Sequence, residues 1–192
     1  MGIRHVFVAL AMVATWAGVA RAEPPSAVVV LASGAEHEED FTSRKLQISF
    51  GVGAVTLEDG LEGTSTSVAI GVNQGGLFGL ALEYQKLEFG DLREDHRLGL
   101  KTERTFFMWG ALRHYMTMRG YGAYRRSAAV LPGSSSAFGI GAEIGMGVAF
   151  KLFGPVEGFA EVGFGATAWQ DPSQKDNYEH HSAIMIGLRG RF

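Results

Sequence analysis

The chain has 192 residues, one domain's worth, and its 17 basic against 20 acidic residues give a net charge of −3. That mild acidity excludes the basic stripe of a nucleic-acid surface, and the lack of cysteine excludes disulfides, thiolate metal sites and a thiol nucleophile. Glycine reaches 27 residues and hydrophobic residues 46%, yet beyond the N-terminus no apolar run approaches the roughly 20 residues of a membrane helix.

The first segment, 1–22, reads as a secretory signal peptide. A basic start with Arg4 precedes an apolar and small-residue stretch over 6–20, and Ala20-Arg21-Ala22 forms an A-x-A cleavage pattern followed by two prolines. Cleavage there removes two cations and leaves 15 basic against 20 acidic residues, a net −5. Residues 23–44 read as a largely irregular periplasmic extension whose run Glu36-His37-Glu38-Glu39-Asp40 is a solvated acidic face.

From residue 45 onward the sequence alternates with period two, the signature of a membrane strand with apolar residues toward lipid and small or polar ones toward a lumen. Ile48, Phe50, Val52 and Ala54 oppose Gln47, Ser49, Gly51 and Gly53. Val68, Ile70 and Val72 form the next face, then Phe78, Leu80, Leu82 and Tyr84 against Gly79, Ala81, Glu83 and Gln85. Segments 98–115 and 121–129 are aromatic-rich and ambiguous in phase, and supply the fourth and fifth strands. Over 138–151 the alternation is clearest, with Phe138, Ile140, Ala142, Ile144, Met146, Val148 and Phe150 on one face. A helix would scatter those residues, and each glycine between them would cost it about 1 kcal/mol. Val162 to Ala168 and Ile184 to Phe192 close the series.

Connections are expected to alternate as well: tight at 73–76, 116–120 and 153–155, longer and polar at 58–64, 90–96, 132–136 and 170–180. Short periplasmic turns and longer external loops suit an all-β fold, a single antiparallel transmembrane β-barrel of about eight strands over 45–192. Eight strands enclose an interior just wide enough for side chains, which explains inward glycines. A charge facing hydrocarbon costs roughly 2–4 kcal/mol for Arg or Lys at mid-depth. Glu83, Glu143, Glu161 and Arg189, with Arg113 as a further candidate, are therefore expected inward as a lumen charge network, with Glu161 and Arg189 sharing ion pairs.

The chain ends Ile184-Met-Ile-Gly-Leu-Arg-Gly-Arg-Phe192, and Leu112-Arg-His-Tyr115 is followed by Gly120-Tyr-Gly-Ala123. Both passages resemble the bacterial outer-membrane β-barrel family, which includes small OmpA/OmpX/OmpW-type barrels. Arg119-Gly120 stands where that family often has Pro before the Tyr. The resemblance implies a bacterial outer-membrane location, contact with membrane lipid and lipopolysaccharide, and an assembly signal at Phe192, Leu188 and Ile186 read by the barrel-assembly machinery. It leaves function open among structural or surface-interaction barrels, narrow channels for small or hydrophobic solutes, and lipid A-modifying enzymes.

The structural or surface-interaction role is the leading expectation, without catalysis, cofactor or metal. His180 and Ser182 have the spacing of a deacylase HxS motif, but Ala183 stands where that motif continues with Asn. Of His96, His114, His180 and His181 only the last two are adjacent, and neighbours on a strand point to opposite faces. Phe106, Phe107, Trp109, Tyr115, Tyr121, Tyr124, Trp169 and Tyr178 are expected as interfacial girdles. Gly139-x-Gly141 lies within a strand and opens no helix, which excludes a nucleotide loop. A soluble lipocalin-like barrel is the remaining alternative and would turn the apolar face inward.

Overall fold

The computed structural model describes residues 44–127, 136–170 and 178–192. The expected signal peptide and all but the last residue of the expected extension lie outside them; Arg44 already opens the first strand. Eight strands follow: β1 (Arg44–Leu57), β2 (Glu62–Gln74), β3 (Phe78–Phe89), β4 (Arg93–Trp109), β5 (Leu112–Ser127), β6 (Ala137–Phe153), β7 (Val156–Trp169) and β8 (Tyr178–Arg191). Each pairs antiparallel with the next, and β8 returns to β1 to close the barrel. Closure leaves no strand edge unpaired, which a sheet surrounded by hydrocarbon needs.

The burial pattern is inverted relative to a soluble barrel. Ile70, Leu82, Ile144, Ile184 and Leu188 are about half exposed on the outside, while Ser65, Thr117, Glu103, Asp95 and Arg189 are fully buried inside. An apolar exterior over a charged interior excludes the lipocalin-like arrangement, whose apolar face would line the lumen.

The barrel has two unlike ends. One carries the start of β1, the end of β8 and three short turns at 75–77, 110–111 and 154–155; it is the turn end. The other, the loop end, carries the connections 58–61 and 90–92, the end of β5 and β7, and the start of β6 and β8. Gly90 and Gly110 have φ of +56°, a conformation that favours glycine and allows these reversals to be tight.

Several connections differ from the sequence reading; the 170–180 loop ends early, because β8 begins at Tyr178. Residues 116–120 are not a turn; they lie inside β5, and the β4–β5 turn is at 110–111. Polar Thr117 and Arg119 suggested a surface turn, but both point into the lumen and are buried. The 90–96 loop shrinks to 90–92, because Arg93 and Asp95 are lumen-facing residues of β4 paired with each other. Likewise β2 begins at Glu62, so Glu62, Gly63 and Thr64 are strand residues rather than loop.

Inward glycines accommodate cross-strand rings. Tyr115 lies opposite Gly147 and Tyr121 opposite Gly141. A Cβ at either glycine would sit 2.5 Å from the facing ring. The alternation that looked like small-residue filler is a set of sockets for aromatic side chains.

Candidate functional site

The chemistry of this barrel is concentrated in its lumen, in three layers of charge. The middle layer is centred on Arg119 of β5. Its Nε donates to Glu83 Oε2 of β3 at 2.6 Å, its Nη1 donates to Glu143 Oε1 of β6 at 2.6 Å, and its Nη2 pairs with Glu161 of β7. Lys101 Nζ donates to Glu161 Oε2 at 2.9 Å, and Thr117 donates to the other oxygen at 3.3 Å. His181 Nε2 lies 3.1 Å from Glu143 Oε2 and 3.0 Å from Arg97 Nη1. One imidazole nitrogen cannot serve both, so the tautomer decides whether it donates to Glu143 or accepts from Arg97. Three carboxylates here face three cations, Arg97, Lys101 and Arg119, all buried.

At the loop end, Arg93 and Arg125 share Asp95 and Glu179, with Arg125 Nε donating to Asp95 Oδ1 at 3.1 Å and Nη2 to Glu179 Oε2 at 2.9 Å. The Arg125 guanidinium lies 3.7 Å from the centre of the Trp169 ring, a cation–π contact that holds it across the lumen.

At the turn end, Glu103 is the hub. Arg113 Nη1 donates to it at 2.6 Å and Arg189 Nη2 approaches its other oxygen at 2.7 Å. Glu157 takes Arg113 at 3.2 Å and Arg191 at 3.2 Å.

Glu83, Glu143 and Glu161 are thus brought together by Arg119. Arg189 belongs to the turn-end group with the further candidate Arg113, and no direct ion pair joins Glu161 to Arg189 among the described residues. The Tyr115 ring stands between them. Its hydroxyl donates to Glu161 at 3.4 Å, while the guanidinium groups of Arg113 and Arg189 lie 5.0 and 5.1 Å from the ring centre. Sequence reasoning missed Arg97, Lys101, Glu103 and Arg119. The signal was present: Arg113, Tyr115, Thr117, Arg119, Tyr121 and Ala123 keep one parity through the segment read as a turn.

Charge is distributed unevenly along the barrel axis. The loop end carries Glu58, Asp59, Glu62, Glu88, Asp91, Glu94, Asp95 and Glu179 against Lys86, Arg93, Arg125 and Arg126, eight to four among the described residues. The turn end carries Arg44, Lys45, Arg104, Arg113, Lys151, Arg189 and Arg191 against Glu103 and Glu157, seven to two.

On the outside, Phe106, Phe107 and Trp109 form an exposed aromatic cluster at the turn end, and Tyr178 is exposed near the loop end. Tyr115, Tyr121 and Trp169 are not girdle residues; their strand parity turns them into the lumen, where they are buried. Ile186, Leu188 and Phe192 all face outward and are more than half exposed. His180 and Ser182 also alternate outward on β8, and the Glu58 amide donates to the His180 carbonyl at 3.0 Å. No side-chain hydrogen bond joins His180 to Ser182 among the described residues. No group of three or more His, Asp or Glu is placed to hold a metal ion among those residues.

No protein-family model matches the sequence, and no curated protein matches it significantly. Solved structures do match the architecture. Neisserial surface protein A superposes with a TM-score of 0.59 at 15% identity, covering 78% of this chain and 97% of that one. A major outer membrane protein from Thermus thermophilus superposes with a TM-score of 0.51 at 12% identity, covering 78% and 100%. The fold is that of the small outer-membrane β-barrels. At these identities the likeness shows the fold alone, so the role of this outer-membrane-type barrel rests on its own residues.

Proposed function

We propose that the chain is a bacterial outer-membrane protein, exported by the signal peptide at 1–22, whose barrel is plugged and serves a structural or surface-interaction role without catalysis. The observation that carries this reading is Arg119 spanning the lumen to Glu83, Glu143 and Glu161. Eight strands leave little spare width, and a cross-lumen ion cluster occupies it. The apolar exterior contacts membrane lipid and the lipid of lipopolysaccharide, and outward Ile186, Leu188 and Phe192 serve recognition by the barrel-assembly machinery. The acidic loop end is the surface offered to partners.

A narrow channel is the second reading. A small cavity beside Arg97, Arg119, Glu83, Gln85 and Tyr121 has room for about one water. Planar-bilayer recording separates the two. The plugged barrel gives no sustained conductance steps, whereas stable steps from the wild-type protein would replace it with the channel. Heat-modifiability on SDS gels of the outer-membrane fraction tests the location, and a soluble protein without a mobility shift would overturn it.

A further inference from the structure

The turn-end layer has more cations than its carboxylates can use. Lys45, Arg113, Arg189 and Arg191 face the lumen there against Glu103 and Glu157. Arg113 and Arg189 use both terminal nitrogens and leave only Nε without a partner, whereas Arg191 is engaged less fully. Its Nη1 pairs with Glu157 at 3.2 Å, and its Nη2 stays 3.7 Å from Glu103. Its Nε and Nη2 have no hydrogen-bond partner although the side chain is more than nine-tenths buried.

Those two nitrogens form one edge of the guanidinium. They present two parallel N–H groups, the fork that matches two oxygens of a carboxylate or phosphate. The neighbours of this edge are also unfinished. Gln47 lies directly across from Arg191, buried, with an unpartnered amide oxygen. Asn73 lies across from Lys45 on the other side of β1; its oxygen accepts the Gly76 amide, and its Nδ2 has no partner. Lys45 has no ion pair among the described residues. Phe192, next in the chain, places its ring over Gly190 on the outer face, and its carbonyl oxygen accepts the Leu46 amide.

We infer that Arg191, Lys45, Asn73 and Gln47 form an oxyanion-binding site at the turn-end mouth of the lumen, built for a phosphate group entering from the aqueous side. An unmade hydrogen bond on a buried guanidinium costs more than one on a neutral group, and a bound oxyanion removes that cost while balancing the surplus charge. The unpartnered edge takes two oxygens, Lys45 supplies a point charge and the Asn73 amide donates to a third oxygen. The Gln47 amide donates after rotating about its last bond. A halide has no second atom for the fork, so the site discriminates by geometry as well as charge.

The test uses the full exported chain refolded in detergent. Thermal unfolding is followed in rising inorganic phosphate, with sodium chloride holding the ionic strength constant. Phosphate should raise the midpoint saturably, whereas chloride at the same strength should not. Arg191→Lys keeps the charge and loses the fork, and should weaken the phosphate dependence at least tenfold; Asn73→Ala should weaken it less. Phosphorus NMR line broadening reads binding directly should Arg191→Lys lower stability by itself. Phosphatidylglycerol added to the micelles distinguishes the source: displacement of bound phosphate assigns the group to a lipid headgroup, and no displacement to a soluble anion. Equal effects of phosphate and chloride, or an undiminished phosphate effect in Arg191→Lys, would overturn the site.

Discussion

The middle of the lumen and its turn end are built from the same residue types and solve opposite problems. In the middle, Glu83, Glu143 and Glu161 meet Arg97, Lys101 and Arg119, and one guanidinium uses all three of its nitrogens on carboxylates. At the turn end, Lys45 and three arginines meet two carboxylates, and the edge of Arg191 remains without a hydrogen-bond partner. A buried charge is tolerable when its partners are in place and expensive when one is missing. The middle layer balances three carboxylates against three cations, although Nε and Nη2 of Arg97 also have no hydrogen-bond partner, whereas the turn-end layer holds four cations against two carboxylates and so retains the capacity to take up an anion. Tyr115 is the floor between them, held against Gly147.

The largest expected effect comes from breaking the closed layer. Arg119→Ala leaves three buried carboxylates short of a partner and should cost about 3–5 kcal/mol, the usual loss when one member of a buried ion cluster is removed. Urea unfolding in detergent measures it. The same substitution at an exposed rim cation such as Arg126 should move the midpoint by less than about 0.5 kcal/mol.

Gly147→Val attacks the floor. Its side chain would occupy the space of the Tyr115 ring, and overpacking of this kind costs about 1–3 kcal/mol. Near-ultraviolet circular dichroism should report the displaced ring. An unchanged spectrum at full stability would mean that Tyr115 is not seated there.

A double-mutant cycle measures how separate the layers are. Glu103 and Arg189 touch through two contacts, at 2.7 and 2.9 Å, and should couple by roughly 1–3 kcal/mol. Glu161 and Arg189 share no ion pair and should couple by less than about 0.5 kcal/mol. Equal coupling in the two cycles would merge the layers into one network.

The smallest effect is expected outside the lumen. Ser182→Ala should leave the acyl pattern of lipid A unchanged by mass spectrometry, since Ser182 and His180 share a face of β8 without a hydrogen bond between their side chains. A changed pattern would restore the enzyme reading.

Sequence alone was enough for the barrel. The period-two alternation over 46–54, 78–85, 138–151 and 183–192 specifies strands with one apolar face, because a one-residue slip would exchange every lipid-facing and lumen-facing side chain. The inward placement of Glu83, Glu143, Glu161 and Arg189 followed from the cost of charge in hydrocarbon. Phase was ambiguous over 98–115 and 121–129, and polar lumen residues such as Asp95, Thr117 and Arg119 stand in the stretches read as connections at 90–96 and 116–120. Only closure of the barrel decided which charges meet. Arg119, Glu83, Glu143 and Glu161 come from four strands, and their contacts depend on barrel diameter and strand stagger, which no local pattern records. The unpartnered edge of Arg191 is likewise a tertiary fact, since it arises from a count of partners across β1, β2, β4, β7 and β8 rather than from any residue by itself.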